Sequence, residues 1–253
     1  ERGIRLNNNY AVEVDHVSMK FNINKEGVDN AKEYFVRLVK HQLHFVEFWA
    51  LKDISFKVEK GDRVGILGFN GAGKSTLLKV IAGVLKPTQG SVSVKGVVAP
   101  MLELGAGFDG NYSGRENVFL YAATMGFSRK FIEKKYDEIV EFAELEEFID
   151  APLKSYSSGM RARLGFAIAT AVKPDVLILD EVLSVGDAAF RAKSQKRIES
   201  MMGDGVTVLY VSHSTDKVEE ICNKAIILDH GQMIAAGNSV EISKIYQSMT
   251  LNK

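Results

Sequence analysis

Apolar and polar residues alternate along residues 11–21 and again along 51–58. That is the two-residue period of strands with one buried face. A turn at 59–62 leads into a short apolar run at 63–67, then a glycine-rich stretch, then an apolar-periodic helix over 76–82 ended by Gly83. Residues 91–99 read as two short strands joined at Gly96. Ser113 and Ser128 each stand before helical patterns, the first reaching Met125 and the second presenting Ile132, Tyr136, Ile139, Val140 and Phe142 on one face. A third helix is expected from Met160 to Val172. Residues 176–179 are apolar on both sides of the pleat, as are 206–211, which marks strands inside a parallel sheet. A hairpin at 225–237 and a helix at 240–249 complete the pattern. One segment interrupts it: Ala31, Tyr34, Phe35, Leu38, Val39, Gln42 and Phe45 fall on one face at helical spacing, so an amphipathic helix is expected over 29–47.

The fold class is therefore α/β, with strands alternating with helices around a parallel sheet. With 253 residues the chain can bury a sizeable core. Its 32 basic and 32 acidic residues balance, which argues against bulk nucleic-acid binding. A single cysteine, Cys222, excludes an internal disulfide and suits a reducing compartment. No apolar run approaches the ~20 residues that cross a bilayer, and no secretory signal opens the sequence. A cytoplasmic chain is expected, and Glu1 in place of methionine points to a trimmed one.

The chemistry concentrates in Gly68-Phe69-Asn70-Gly71-Ala72-Gly73-Lys74-Ser75, followed by Thr76. Three glycines let backbone N–H groups converge on one concavity, and the following helix adds its positive end. Lys74 supplies a charge for β- and γ-phosphates, and Ser75 a hydroxyl for Mg²⁺. This is a P-loop, and a nucleoside triphosphate is the expected ligand. Asp180, ending the strand at 176–180, is expected to hold Mg²⁺, with Glu181 placed to orient or deprotonate the attacking water. His213 ends a core strand on the side where such sheets bind nucleotides. Gly105, Gly107 and Gly110 also fit a dinucleotide-binding spacing, but Asn111-Tyr112-Ser113-Gly114 is still loop where that motif needs a helix. Ser157, Ser158 and Gly159 open the third helix as a second anion-compatible helix end.

In this order the P-loop, Tyr156-Ser157-Ser158-Gly159-Met160, Asp180-Glu181, Ser184-Val185-Gly186-Asp187 and His213 resemble the nucleotide-binding subunit of ABC transporters over nearly the whole chain. The resemblance implies one ATPase domain: a P-loop core with an antiparallel β-subdomain (10–100 and 174–237), an inserted helical subdomain (103–172) and a C-terminal helix (238–253). It implies ATP and Mg²⁺ as ligands, the loop at 156–160 gripping the γ-phosphate held by an opposite subunit, a second contact through Asp187, and His213 as the switch histidine. Glu103 stands near the family's metal-contacting glutamine, and Phe21 is the expected adenine-stacking aromatic, with Phe48 or Trp49 as substitutes because of the insertion.

Leu102–Phe108 followed by Ser113-Gly114-Arg115-Glu116-Asn117, the unusual Tyr156 and Met160, and the 29–47 segment look like the branch that exports O-antigen or teichoic-acid polysaccharides. That implies an ATP-hydrolysing homodimer, peripheral on the cytoplasmic face of the cell membrane, working with an integral membrane permease on a lipid-linked polymer, and no nucleic acid. The apolar face of the 29–47 segment either packs into the core against the sheet or lies at the membrane face, and the second placement is the one expected on a motor subunit. The alternative within the same superfamily is a soluble ATPase acting on nucleic acid or ribosomes. That class needs a tandem P-loop or a long coiled coil, and this sequence has neither.

Overall fold

The structure is a computed structural model that describes residues 9–24, 45–102, 104–180, 186–203 and 205–251. Strands β1 (Tyr10–Asn24), β2 (Phe45–Glu59) and β4 (Gln89–Val94) form an antiparallel sheet in the order β2-β1-β4. A second sheet runs β5-β6-β7-β3-β8-β9, from β3 (Arg63–Leu67), β5 (Val98–Met101), β6 (Val176–Asp180), β7 (Thr207–Val211), β8 (Lys224–Asp229) and β9 (Gln232–Asn238). Its first five strands are parallel, and only β9 returns antiparallel.

Alternation along these strands builds two cores at once. Val64, Ile66, Ile178, Leu209, Val211, Ile226 and Leu228 face one way, onto the first sheet and helix α1 (Lys74–Ile81). Leu67, Leu177, Leu179, Val208, Tyr210, Ala225 and Ile227 face the other, onto the later helices. Strands buried on both faces cannot alternate with polar residues, hence their continuous apolar runs.

Helices α2 (Gly114–Thr124) and α3 (Arg129–Ala143) stand beside this core with α4 (Ser158–Ala169). Ser113 accepts from the N–H of Glu116, whose carboxylate accepts back from the N–H of Ser113, a reciprocal capping box. Helix α4 lies between two clusters: Phe166 and Ala169 join the sheet-side core, while Leu164, Ala167 and Ile168 join the core of the helical layer. Phe142 of α3 stacks on Phe166 at 5.9 Å between centroids, and both meet Phe190 of α5 (Ala188–Met201) edge-on. Helices α6 (Thr215–Ile221) and α7 (Ser239–Leu251) follow β7 and β9.

Two expectations need correction. Residues 29–44 lie outside the described residues, but Phe45–Glu47, assigned above to the inserted helix, belong to β2: Phe45 pairs with Asn24, Val46 with Ile23 and Glu47 with Asn22. The adjacent Val46, Phe48 and Trp49 suit a pleated surface, and the ladder with β1 satisfies the backbone groups on that edge. The third helix begins two residues earlier, at Ser158, and stops at Ala169 rather than Val172, where Thr170 turns its hydroxyl back to the Phe166 carbonyl at 2.9 Å. The two short strands expected either side of Gly96 are both present, β4 in the first sheet and β5 at the edge of the second.

Candidate nucleotide site

The P-loop bridges β3 and α1, and two of its glycines are fixed by their neighbours. At Gly68 (φ 155°) a Cβ would lie 2.4 Å from the Leu228 carbonyl oxygen, and at Gly73 (φ 101°) 2.6 Å from the Ala50 carbonyl oxygen. Strands β8 and β2 thus press on the loop from two sides, and only glycine fits. The Lys74 ammonium donates to the carbonyls of Gly68 at 2.5 Å and Phe69 at 3.0 Å, so it lies folded over its own loop.

These residues open onto a cavity of ≈ 360 Å³ lined by Phe48, Ala50, Asn70, Gly71, Ala72, Gly73, Lys74, Ser75, Thr76, Asp180, Val211 and His213. Asp180 arrives on the C-terminal end of β6, and His213 follows the end of β7; parallel strands place both beside the P-loop that follows β3. One basic side chain, two hydroxyls, a carboxylate, an imidazole and an array of loop amides therefore line one space. That set can hold a polyphosphate and position its terminal group. Among the described residues no cluster of three or more His, Cys, Asp or Glu side chains could hold a metal by itself. Ser75 and Asp180 do offer the hard oxygen pair that suits Mg²⁺ completed by phosphate and water.

Other expected residues fall elsewhere. Glu181 and Glu103 lie outside the described residues, as do Ser184 and Val185. Phe21 is half-buried and packs against the core beneath the first sheet; the aromatic lining the cavity is its cross-strand partner Phe48, half exposed. Ser157, Ser158, Gly159 and Asp187 do not line that cavity. Ser157 caps α4, accepting from the Met160 N–H at 3.1 Å, and Ser158 instead borders an open pocket with Leu104, Gly105, Ala106, Arg161 and Ala162. Before them, Tyr156 is buried, its hydroxyl donating to the Phe148 carbonyl at 2.7 Å, and burial pushes its pKa up to about 12.

Asp187 caps α5. The Phe190 N–H donating to it at 3.0 Å, with help from the Arg163 guanidinium, holds its carboxyl below the usual 3.8. Arg163, on α4, also reaches Glu144 at 3.1 Å and lies over the Phe190 ring. Nothing in the sequence pattern marks Arg163, Ala50 or Val211 for these positions. An arginine in a helix or a small residue in a strand carries no local signal that a loop far along the chain will meet it. A second groove, ≈ 640 Å³ and largely apolar, lies between the sheet core and the helical layer, with Val84, Val97, Leu102, Tyr121, Met125 and Phe127 among its walls.

The family model described as "ABC transporter" matches residues 51–184. An O-antigen export system ATP-binding protein, RfbB, from Klebsiella pneumoniae is 48% identical over 201 residues, 79% of this chain and 82% of that protein. The teichoic acids export ATP-binding protein TagH from Bacillus anthracis is 40% identical over 238 residues, 94% of this chain but 42% of that protein. Among solved structures, a dimeric post-hydrolysis ATP-binding cassette bound to ADP and Pi superposes with a TM-score of 0.65 at 21% identity, covering 90% of this chain and 98% of that one.

Proposed function

The chain belongs to the ABC transporter family, and from that premise we propose that it is the ATP-hydrolysing motor subunit of an exporter moving a lipid-linked polysaccharide, of O-antigen or teichoic-acid type, across the cytoplasmic membrane. The observation that carries the motor reading is the gathering of Lys74, Ser75, Asp180 and His213 on one cavity whose floor is a P-loop. The polymer class rests on the relatives' own names, one an O-antigen and the other a teichoic-acid export protein.

In this reading the loop amides and Lys74 bind the β- and γ-phosphates, and Phe48 offers its face to the adenine. Ser75 and Asp180 hold Mg²⁺, with Glu103 as a further oxygen donor. Bound there, the ion neutralises charge on the phosphates. Glu181 orients the attacking water and accepts its proton, while His213 steadies the γ-phosphate as it leaves. The task is positioning more than covalent chemistry.

Ser157, Ser158, Gly159 and Asp187 stand away from their own chain's cavity, which supports a head-to-tail homodimer in which each copy completes the other's site. The apolar groove between core and helical layer supports an integral membrane permease as partner, since such a surface gains stability when covered. Among the described residues no helix is long and apolar enough to cross a membrane, which fits a peripheral subunit on the cytoplasmic face.

The test is Glu181→Gln, which keeps size and hydrogen bonding but removes the base. The variant is expected to bind ATP, to form a dimer only when ATP is present, and to turn over at least about 10²-fold more slowly. Near-normal hydrolysis by this variant sinks the catalytic assignment. Failure of the native protein to co-purify with any integral membrane subunit sinks the transporter reading.

A further inference from the structure

Helix α7 touches two segments that border the nucleotide site, through adjacent residues. Tyr246 is buried, and its ring lies 5.3 Å from that of Phe69, the second residue of the P-loop. The next residue, Gln247, is exposed and donates its side-chain amide to the Thr215 hydroxyl at 2.8 Å. Thr215 is two positions beyond His213 and opens α6. We infer that α7 is a positioning element for ATP turnover, with Tyr246 setting the P-loop and Gln247 setting the segment that carries His213.

The physical chain on each side is short. The Phe69 carbonyl accepts from Lys74 Nζ at 3.0 Å and from the Ala72 N–H at 3.1 Å, so the backbone of Phe69 is a hub for the lysine and for the curl of the loop. A ring packed against the Phe69 ring holds that hub from the core that faces the later helices. On the other side, Ser214 caps α6 by accepting from the Lys217 N–H, and its own N–H donates to the Ser212 hydroxyl at 2.9 Å. Residues 212–215 thus form one knotted turn, and Gln247 ties that turn to α7. Adjacent residues on a helix point about 100° apart, which lets one rigid rod reach both the start of the P-loop and the turn that follows β7. Nothing in residue type marks this role, and α7 lies outside the segment matched by the family model.

The inference rests on the ATPase reading above, and steady-state kinetics on the whole chain separates the two. Tyr246→Ala is expected to raise KM for ATP about tenfold with a smaller effect on kcat, and Tyr246→Phe, which keeps the ring, to restore native values. Gln247→Ala is expected to lower kcat about fivefold with KM within about twofold of native, because His213 acts on the departing phosphoryl group. Ile242→Ala is the control: this residue is buried one turn earlier on the same helix, beside Gly237. It should lower the melting temperature while leaving KM and kcat per folded chain unchanged.

Native KM in Tyr246→Ala, or the same KM rise in Ile242→Ala, overturns the inference. Should Tyr246→Ala fail to fold, Gln247→Ala alone decides, and native kcat there overturns it. A native chain that neither binds nor hydrolyses ATP removes the ATPase reading instead, an outcome visible before any variant is made.

Discussion

The turn that joins β8 to β9 offers a sharp test of how the site is held. His230 and Gly231 both have positive φ (45° and 79°) between the paired Asp229 and Gln232, the two-residue hairpin loop whose twist matches the flanking strands. Gly231 is also a junction: its carbonyl accepts from the Lys52 N–H at 2.7 Å, and its N–H donates to the Ala72 carbonyl of the P-loop at 3.1 Å. In Gly231→Ala the new Cβ would lie 2.6 Å from the Ala50 oxygen, 3.0 Å from its carbon and 3.3 Å from the Leu51 Cα, all backbone atoms with no rotamer to retreat into. Left-handed backbone at an alanine costs about 1–2 kcal/mol, and forcing β2 outward about 1–3 kcal/mol. The total of about 2–5 kcal/mol corresponds to a melting temperature lower by about 5–20 °C for a chain of this size. Because the displaced strand carries Ala50 and Phe48, which line the cavity, ATP affinity should fall as well. Thermal melts and fluorescent-nucleotide titration read the two effects. Gly83→Ala is the comparator, with the same positive φ (75°) but nothing within 4 Å, so it should lose only the conformational part. If Gly231→Ala melts within about 2 °C of native, or no lower than Gly83→Ala, the junction argument is wrong.

The aromatic at the nucleotide is testable by a pair. Phe48→Ala should raise KM for ATP with little change in melting temperature, whereas Phe21→Ala should cost about 1–3 kcal/mol of stability and leave KM near native; the opposite pattern returns the stacking role to Phe21. Asp62 gives a pH prediction. Burial alone would raise its pKa, but hydrogen bonds from Lys224 (2.8 Å) and Asn223 (2.9 Å) outweigh it and hold the carboxyl below 3.8. Its contribution is complete above the unfolded value and is lost as pH falls through the folded one. The stability gap between native and Asp62→Asn, followed by urea denaturation, should therefore be flat near neutrality and close below about pH 4; a gap unchanged down to pH 3 rules the account out.

Much of this architecture is written in local chemistry. Strands β6 and β7 declare themselves by apolar residues on both faces, and Ser113 and Ser128 mark their helix starts because capping involves only the next turn. The P-loop, Asp180 and His213 were legible because each sits at the end of a strand whose burial the sequence already shows. What escaped depends on contacts far along the chain. In β1 the alternation fails at Val17, Ser18 and Met19, buried in succession, because His16 takes a positive φ of 49° and the register shifts on both sides of Val17. No period-two reading allows that. Phe48 displaced Phe21 at the cavity for a related reason: the two are cross-strand partners, and only the position of the ribbon against Gly73 decides which one faces the loop. Helical spacing carried the reading of Phe45–Glu47 past the point where pairing with β1 takes over.

Helix α4 has a mechanical meaning beyond its packing. A layer joined to its neighbour only by loops can swing, but α4 is a structural member of both: it places Phe166 among Phe142 and Phe190 on one side and Leu164 and Ile168 in the helical core on the other. At Gly165 a Cβ would lie 2.7 Å from the Gly105 nitrogen, so the segment after β5 is pressed against the same rod. Rotating the helical layer as a free flap would tear these rings apart. The motion left to it is shear, small slips along faces lined by Ala162, Ala167, Ala169 and Gly165. Twelve helical residues make a strut about 18 Å long, and a load applied at its Ser157 end reaches the sheet core with no slack to absorb it.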